Sequence, residues 1–165
     1  MAQGMRGYAQ RVDIRIGIDV VWQALLDPKT LERWYTRAVR IDARERGIYS
    51  VMLEGGPTLE ANIDVFAPPR RLRLIYMPFP GMPDEGNVIV EDFLLDRDDV
   101  AAREAGVAAI TVLRVLGSGF PDGSAWHPVY SRLRSGWERA LPRLKVLLER
   151  PPGRTGPQFT PLTGR

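Results

Sequence analysis

The sequence predicts an α+β domain, a curved seven-stranded antiparallel sheet with two short helices after strand one, wrapped around a long C-terminal helix. Three observations lead there. Seven runs read as strands, and most are joined by turn residues too few for parallel crossovers. Two short helical patterns part the first run from the rest. Near the end, Val129, Leu133, Trp137, Leu141, Leu144 and Leu148 step by three or four, the spacing of an amphipathic helix that needs a sheet to cover.

Taken in order, Tyr8 to Ile16 alternates, with Val12, Ile14 and Ile16 opposite Arg11, Asp13 and Arg15, as in a half-buried strand. Asp19 is placed to cap a helix carrying Val20, Val21, Ala24 and Leu25, and Asp27-Pro28 ends it and starts a second that reaches Trp34. Strands are then expected over Val39–Arg46, Ile48–Glu54, Leu59–Phe66 and Arg71–Met77, separated by Gly47, Gly55-Gly56-Pro57 and Pro68-Pro69. Prolines and glycines make 78–87 an irregular loop before strands Val88–Leu95 and Val107–Leu116, with Asp96–Gly106 as a solvated connection holding a helical turn around Val100–Glu104. Pro142 should kink the last helix or remove a hydrogen bond. The organisation expected is an extension over 1–7, one domain over 8–150 and a flexible Pro/Gly-rich tail over 151–165.

Composition narrows the chemistry. The 165 residues are of one-domain size, and 44% hydrophobic with 26% charged residues is ordinary for a globular chain. The net charge is only +3, and 21 of the 23 basic residues are arginines, so nucleic acid is not the expected partner. Without cysteine there is no disulfide, thiolate metal site or thiol catalysis, and one histidine excludes a histidine metal cage. No cofactor and no metal are expected. No apolar run approaches the about 20 residues that span a bilayer, so membrane insertion is not expected and the cytoplasm is the expected compartment.

A sheet gripping a helix seldom closes completely, and an apolar cavity of roughly 300–1,000 Å³ between the two is the candidate site. Trp34, Tyr49, Val51, Leu53, Leu74, Tyr76, Tyr130, Leu133 and Trp137 are the expected ligand-binding lining, together with Leu72 on the face of Leu74 and Tyr76. For the tryptophans core packing is the plainer account and pocket wall the second, and the hydroxyls of Tyr49, Tyr76 and Tyr130 would either orient a ligand or reach solvent. His127, just before Pro128, is a weak candidate for catalysis, since no orienting carboxylate is identifiable; an exposed or capping histidine is the plainer account. Asp64 and Glu91-Asp92 are expected to face water. An inward carboxylate held by a tyrosine would instead favour an enzyme.

Asp96, Asp98 and Asp99 suggest a calcium loop, but its sixth and twelfth positions are Ala101 and Val107, so none is expected. Arg70, Arg71 and Arg73 lack interleaved exposed aromatics and suit a solvated face. Phe79 and Met82 in the proline-rich loop should be exposed, as a lid or as the contact of a homodimer.

The stretch Ile18-Asp-Val-Val-Trp-Gln-Ala-Leu-Leu-Asp-Pro-Lys-Thr-Leu-Glu-Arg-Trp34 resembles the opening motif of the SRPBCC (START-like, helix-grip, birch-pollen-allergen-like) superfamily, in its activator of heat shock protein 90 ATPase-like branch. Gly117-Ser-Gly-Phe-Pro-Asp resembles that branch's strand-to-helix junction, and Gly136-Trp137, Ala140-Leu141, Leu144 and Leu148 its C-terminal helix. Gly47-Ile-Tyr-Ser-Val and Ala67-Pro-Pro-Arg-Arg-Leu72 are similar to its strand signals, so the likeness spans residues 8 to 150. It implies a bacterial stand-alone member that binds a small hydrophobic or aromatic metabolite, or an enzyme of the polyketide cyclase, aromatase or hydrolase type in the same cavity, or a chaperone-interacting regulatory module. The eukaryotic activators carry a separate N-terminal chaperone-binding domain, whereas strand one here begins within the first ten residues, so chaperone contact is not expected.

Overall fold

The first strand, β1 (Met5–Ile14), turns Tyr8, Val12 and Ile14 into the core by its period-two alternation. The structure, a computed structural model, describes residues 4–53, 55–83 and 86–150; the expected tail over 151–165 lies outside them. β1 starts at Met5 rather than Tyr8, because Met5 and Arg6 already pair with Pro121 and Phe120. Helix α1 (Ile18–Leu26) begins from Gly17 without a side-chain cap, and Asp19 lies inside its first turn rather than at the cap. There its charge faces the positive end of the helix dipole. Asp27 does cap α2 (Pro28–Trp34), accepting from the Thr30 amide at 3.1 Å, with Pro28 in the first turn where its missing N–H costs nothing.

A meander follows: β2 (Ala38–Ile41), β3 (Ile48–Met52), β4 (Thr58–Ala67), β5 (Arg71–Tyr76) and β6 (Val90–Arg97). β2 is shorter than expected because residues 42–47 form a turn, closed by the Gly47 amide on the Arg44 carbonyl at 2.9 Å and with Arg46 at φ 64°. The expected helical turn is a full helix, α3 (Asp99–Ala105), capped by Asp98 on the Ala101 amide at 3.0 Å and ended by Gly106 in the left-handed conformation. The last strand, β7 (Thr111–Pro121), therefore runs later than Val107–Leu116 and continues through Gly117-Ser-Gly, pairing along β1.

Strand order is β1-β7-β6-β5-β4-β3-β2 with antiparallel neighbours, and the two edges do not pair. One 3-10 turn (Ser124–Trp126) leads into α4 (His127–Leu148), which lies along β1 and against α2. α4 is continuous through Pro142, whose ring nitrogen cannot donate to the Glu138 carbonyl. Leu133, Trp137, Ala140, Leu141 and Leu144 form its buried stripe. On the outer face Arg71 meets Asp92 at 3.0 Å and Arg73 meets Asp64 at 3.6 Å, so the basic strand start is neutralised by neighbouring carboxylates.

Candidate functional site

Alternation along β6 buries Ile89, Glu91, Phe93 and Leu95 and leaves Val90, Asp92 and Leu94 half-buried. A carboxylate thus enters the core on the same phase as Phe93 and Leu95, which corrects the expectation that Glu91 faces water. Asp64 is exposed and Asp92 half-buried, both beside arginines. Glu91 is 0% exposed, and burying a carboxylate without partners costs several kcal/mol or shifts its protonation. Three donors meet it. The Tyr8 hydroxyl donates to Oε2, the Tyr76 hydroxyl to Oε1, and the Trp137 indole N–H to Oε2 at 2.5 Å.

The register explains the convergence. Gly117 on β7 lies opposite both Tyr8 on β1 and Glu91 on β6. A Cβ at Gly117 would collide with the Tyr8 ring, so glycine opens the gap through which a tyrosine crosses one strand to reach the next. Tyr76 comes from β5, which pairs Leu74 with Glu91, and Trp137 descends from α4. The cluster joins β1, β5, β6 and α4. Burial pushes the Glu91 carboxyl above the usual carboxylate range, and its three donors offset this only in part. Burial first, then the Glu91 charge, pushes the Tyr8, Tyr76 and Tyr35 hydroxyls well above the ordinary phenol range.

Above the carboxylate lies an aromatic layer. Tyr35, the residue ending α2, stacks on Trp137 with ring centroids 4.5 Å apart and planes at 17°. Trp34 stacks on the same tyrosine at 5.4 Å, and Phe93 meets Trp137 edge-on at 5.4 Å. Beside these rings, open space remains between the buried stripe of α4 and residues Leu53 and Leu59. A cavity of about 70 Å³ is bounded by Tyr35, Leu53, Leu133, Gly136, Trp137 and by Arg132, Arg139 and Arg143 of α4. A second, of about 220 Å³, lies among Leu53, Leu59, Phe79, Pro128, Val129 and Leu133. Leu53, Arg132 and Leu133 line both, making one cleft that approaches the lower size limit of ligand pockets, about 300 Å³.

Of the expected lining residues, Leu53, Leu133 and Trp137 border this cleft. Val51, Leu72 and Leu74 are fully buried in the core. The polar handles have partners within the protein. Tyr49 donates to the Leu25 carbonyl at 2.7 Å, Tyr130 to the Gly7 carbonyl at 2.9 Å, Tyr76 to Glu91, and the Trp34 indole to the Ala24 carbonyl at 3.1 Å. His127 is exposed in the first turn of α4 and lines neither cavity, although its neighbours Pro128 and Val129 border the larger one. Phe79 and Met82 are half-buried against the core instead of exposed, with the Met82 amide on the Phe79 carbonyl at 3.1 Å turning the loop inward. Tyr8, Tyr35 and Glu91 were missing from the expected site. Glu91 was detectable from its phase with Phe93 and Leu95, and Tyr35 from its place beside Trp34.

Among the described residues no cluster of three or more acidic, histidine or cysteine side chains could hold a metal, and no helix is long and apolar enough to cross a membrane.

An open antiparallel sheet gripping one C-terminal helix, with two short helices after the first strand, defines a helix-grip protein of the SRPBCC superfamily. Within it, the sequence model described as activator of Hsp90 ATPase homolog 1-like protein matches residues 15–149, and the chain belongs to that family. No curated protein matches the sequence. Among solved structures, a Mesorhizobium loti protein is similar at 20% identity and TM-score 0.71, covering 88% of this chain and 98% of its own. A Plasmodium falciparum HSP90 activator is similar at 18% identity and TM-score 0.68, covering 90% of this chain and 99% of its own. The Aha1 dimer from Colwellia psychrerythraea is similar at 18% identity and TM-score 0.67, covering 87% and 96%. At these identities the likeness establishes the fold.

Proposed function

We propose that this protein binds a small aromatic or hydrophobic molecule in the cleft along α4, and does so in the cytoplasm. One observation carries this: two contiguous cavities, of about 70 and 220 Å³, share Leu53, Arg132 and Leu133, and the smaller is bordered by the stacked Tyr35 and Trp137. Flat apolar surface laid on those rings is worth about 25 cal/mol per Å² removed from water, with aromatic stacking adding to it. A dimer, the form of the Colwellia relative, is compatible, because one chain frames the whole cleft. Chaperone contact, although the family's name and the Plasmodium relative point to it, is not part of this function.

Native mass spectrometry of the purified protein tests the proposal. A copurifying small molecule, lost from a Leu133→Arg variant that remains folded, is the expected result. No copurifying molecule, with Trp137 emission unmoved by any aromatic probe, would remove its support.

Glu91 favours a second function, an enzyme of the cyclase, aromatase or hydrolase type, because a buried carboxyl of raised pKa held by two tyrosines suits acid–base work. Against it, Glu91 lies behind Trp137 and borders neither cavity. We therefore assign Glu91 to holding Trp137 in place. Turnover of an aromatic substrate that disappears in Glu91→Gln, while binding of that substrate persists, would establish catalysis instead.

A further inference from the structure

α4 places Arg132, Gly136, Arg139 and Arg143 on one face, at helical spacing, around the smaller cavity. Among the described residues Arg11, Arg44, Arg71, Arg114 and Arg134 each face a carboxylate within 4 Å, whereas Arg40 and Arg103 do not. Arg132, Arg139 and Arg143 form no such pair, and no described acidic side chain lines either cavity. Three guanidinium groups around one cavity, with no described carboxylate within 4 Å, raise the local positive potential. The cleft floor beneath them is aromatic.

Gly136 adds an independent mark. It lies inside α4, where glycine costs about 1 kcal/mol relative to alanine, and its backbone does not need the left-handed region. A Cβ built there meets nothing within 4 Å. Packing within the protein therefore does not require glycine, and the unfilled space in front of it opens into the cavity between the arginines.

We infer that the ligand is an aromatic acid, its ring on Tyr35 and Trp137 and its carboxylate or like anionic group over Gly136, held by Arg132, Arg139 and Arg143. This deepens the proposed binding function and depends on it. The guanidinium fork matches a carboxylate bidentately, which a lysine at the same place would not do.

A pair of fluorescent probes with one ring system separates the two layers: anilinonaphthalene sulfonate, which is anionic, and the neutral phenylnaphthylamine. The wild type should bind the sulfonate about tenfold more tightly than the amine, as expected for charge-assisted hydrogen bonds at a partly desolvated site. Arg139→Gln/Arg143→Gln, changes at two exposed positions, should erase that preference, the sulfonate then binding no more tightly than the amine. Gly136→Leu should weaken both probes with the thermal melt retained. Equal affinities in the wild type, or a sulfonate preference that survives the arginine changes, would overturn the anion inference and leave hydrophobic binding standing. Binding of neither probe, with tryptophan emission unmoved, would refute the cleft as a ligand site and the inference with it.

Discussion

Glu91→Leu strands three donors at once. The Tyr8 and Tyr76 hydroxyls and the Trp137 N–H lose their acceptor inside the core, and each stranded buried donor costs about 1–3 kcal/mol. The same change relieves the penalty of burying a carboxylate, so the net destabilisation is about 2–5 kcal/mol. Urea unfolding at neutral pH, followed by tryptophan emission, measures it. Adding Tyr8→Phe and Tyr76→Phe to Glu91→Leu should recover most of the loss, because removing donors together with their acceptor is nearly neutral. The pH dependence follows from the direction of the shift. Glu91 titrates above its unfolded value, so the folded state holds its proton more tightly. Its contribution is fully present below the unfolded pKa of about 4.3 and is lost as pH rises through the folded pKa. Glu91→Gln does not titrate there, so wild type should lose stability relative to it as pH climbs from about 4. A Glu91→Leu protein within about 0.5 kcal/mol of wild type, with an unchanged pH profile, would refute the role of the carboxylate as the acceptor that unites these strands.

Other perturbations test neighbouring parts. Gly117→Val should drive Tyr8 out of its path and cost about 1–3 kcal/mol, with loss of near-ultraviolet dichroism from the aromatic layer. Gly136→Ala should raise stability in urea by about 0.5–1 kcal/mol, since helix propensity improves and nothing is struck. Tyr49→Phe removes the bond to the Leu25 carbonyl and should cost about 0.5–1.5 kcal/mol. Tyr130→Phe, at a half-buried site where water can serve the Gly7 carbonyl, should change stability by less than about 0.5 kcal/mol in the same assay.

Period and spacing in the sequence carried the architecture far. Alternation turned Tyr49, Val51, Leu72, Leu74 and Tyr76 inward, and the three-and-four spacing put Leu133 and Trp137 on the buried stripe of α4. The strand ends were less legible. Gly117-Ser-Gly resembles the family's strand-to-helix junction, yet β7 continues through it because β1 needs a partner along its length. At Glu91 residue type outweighed phase: an acid suggests solvent, although its phase with Phe93 and Leu95 points inward. Which groups would satisfy it was beyond local inspection. Tyr8, Gly117 and Glu91 form a row only through strand pairing, and Tyr8 and Glu91 are 83 residues apart in the chain. Partner assignment was equally hidden for the tyrosine hydroxyls, which look like ligand handles until the carbonyls of Leu25 and Gly7 are placed beside them.

The pairing of β1 with β7 also bears on how the chain is made. During synthesis the central hairpins can zip as they emerge, yet the opening strand must wait until Thr111–Pro121 has left the ribosome. Until then it presents an unsatisfied backbone edge and a tyrosine with nowhere to dock. Docking of the two ends is thus a late, all-at-once event, and the nascent protein is most open to aggregation or to a holding chaperone just before it.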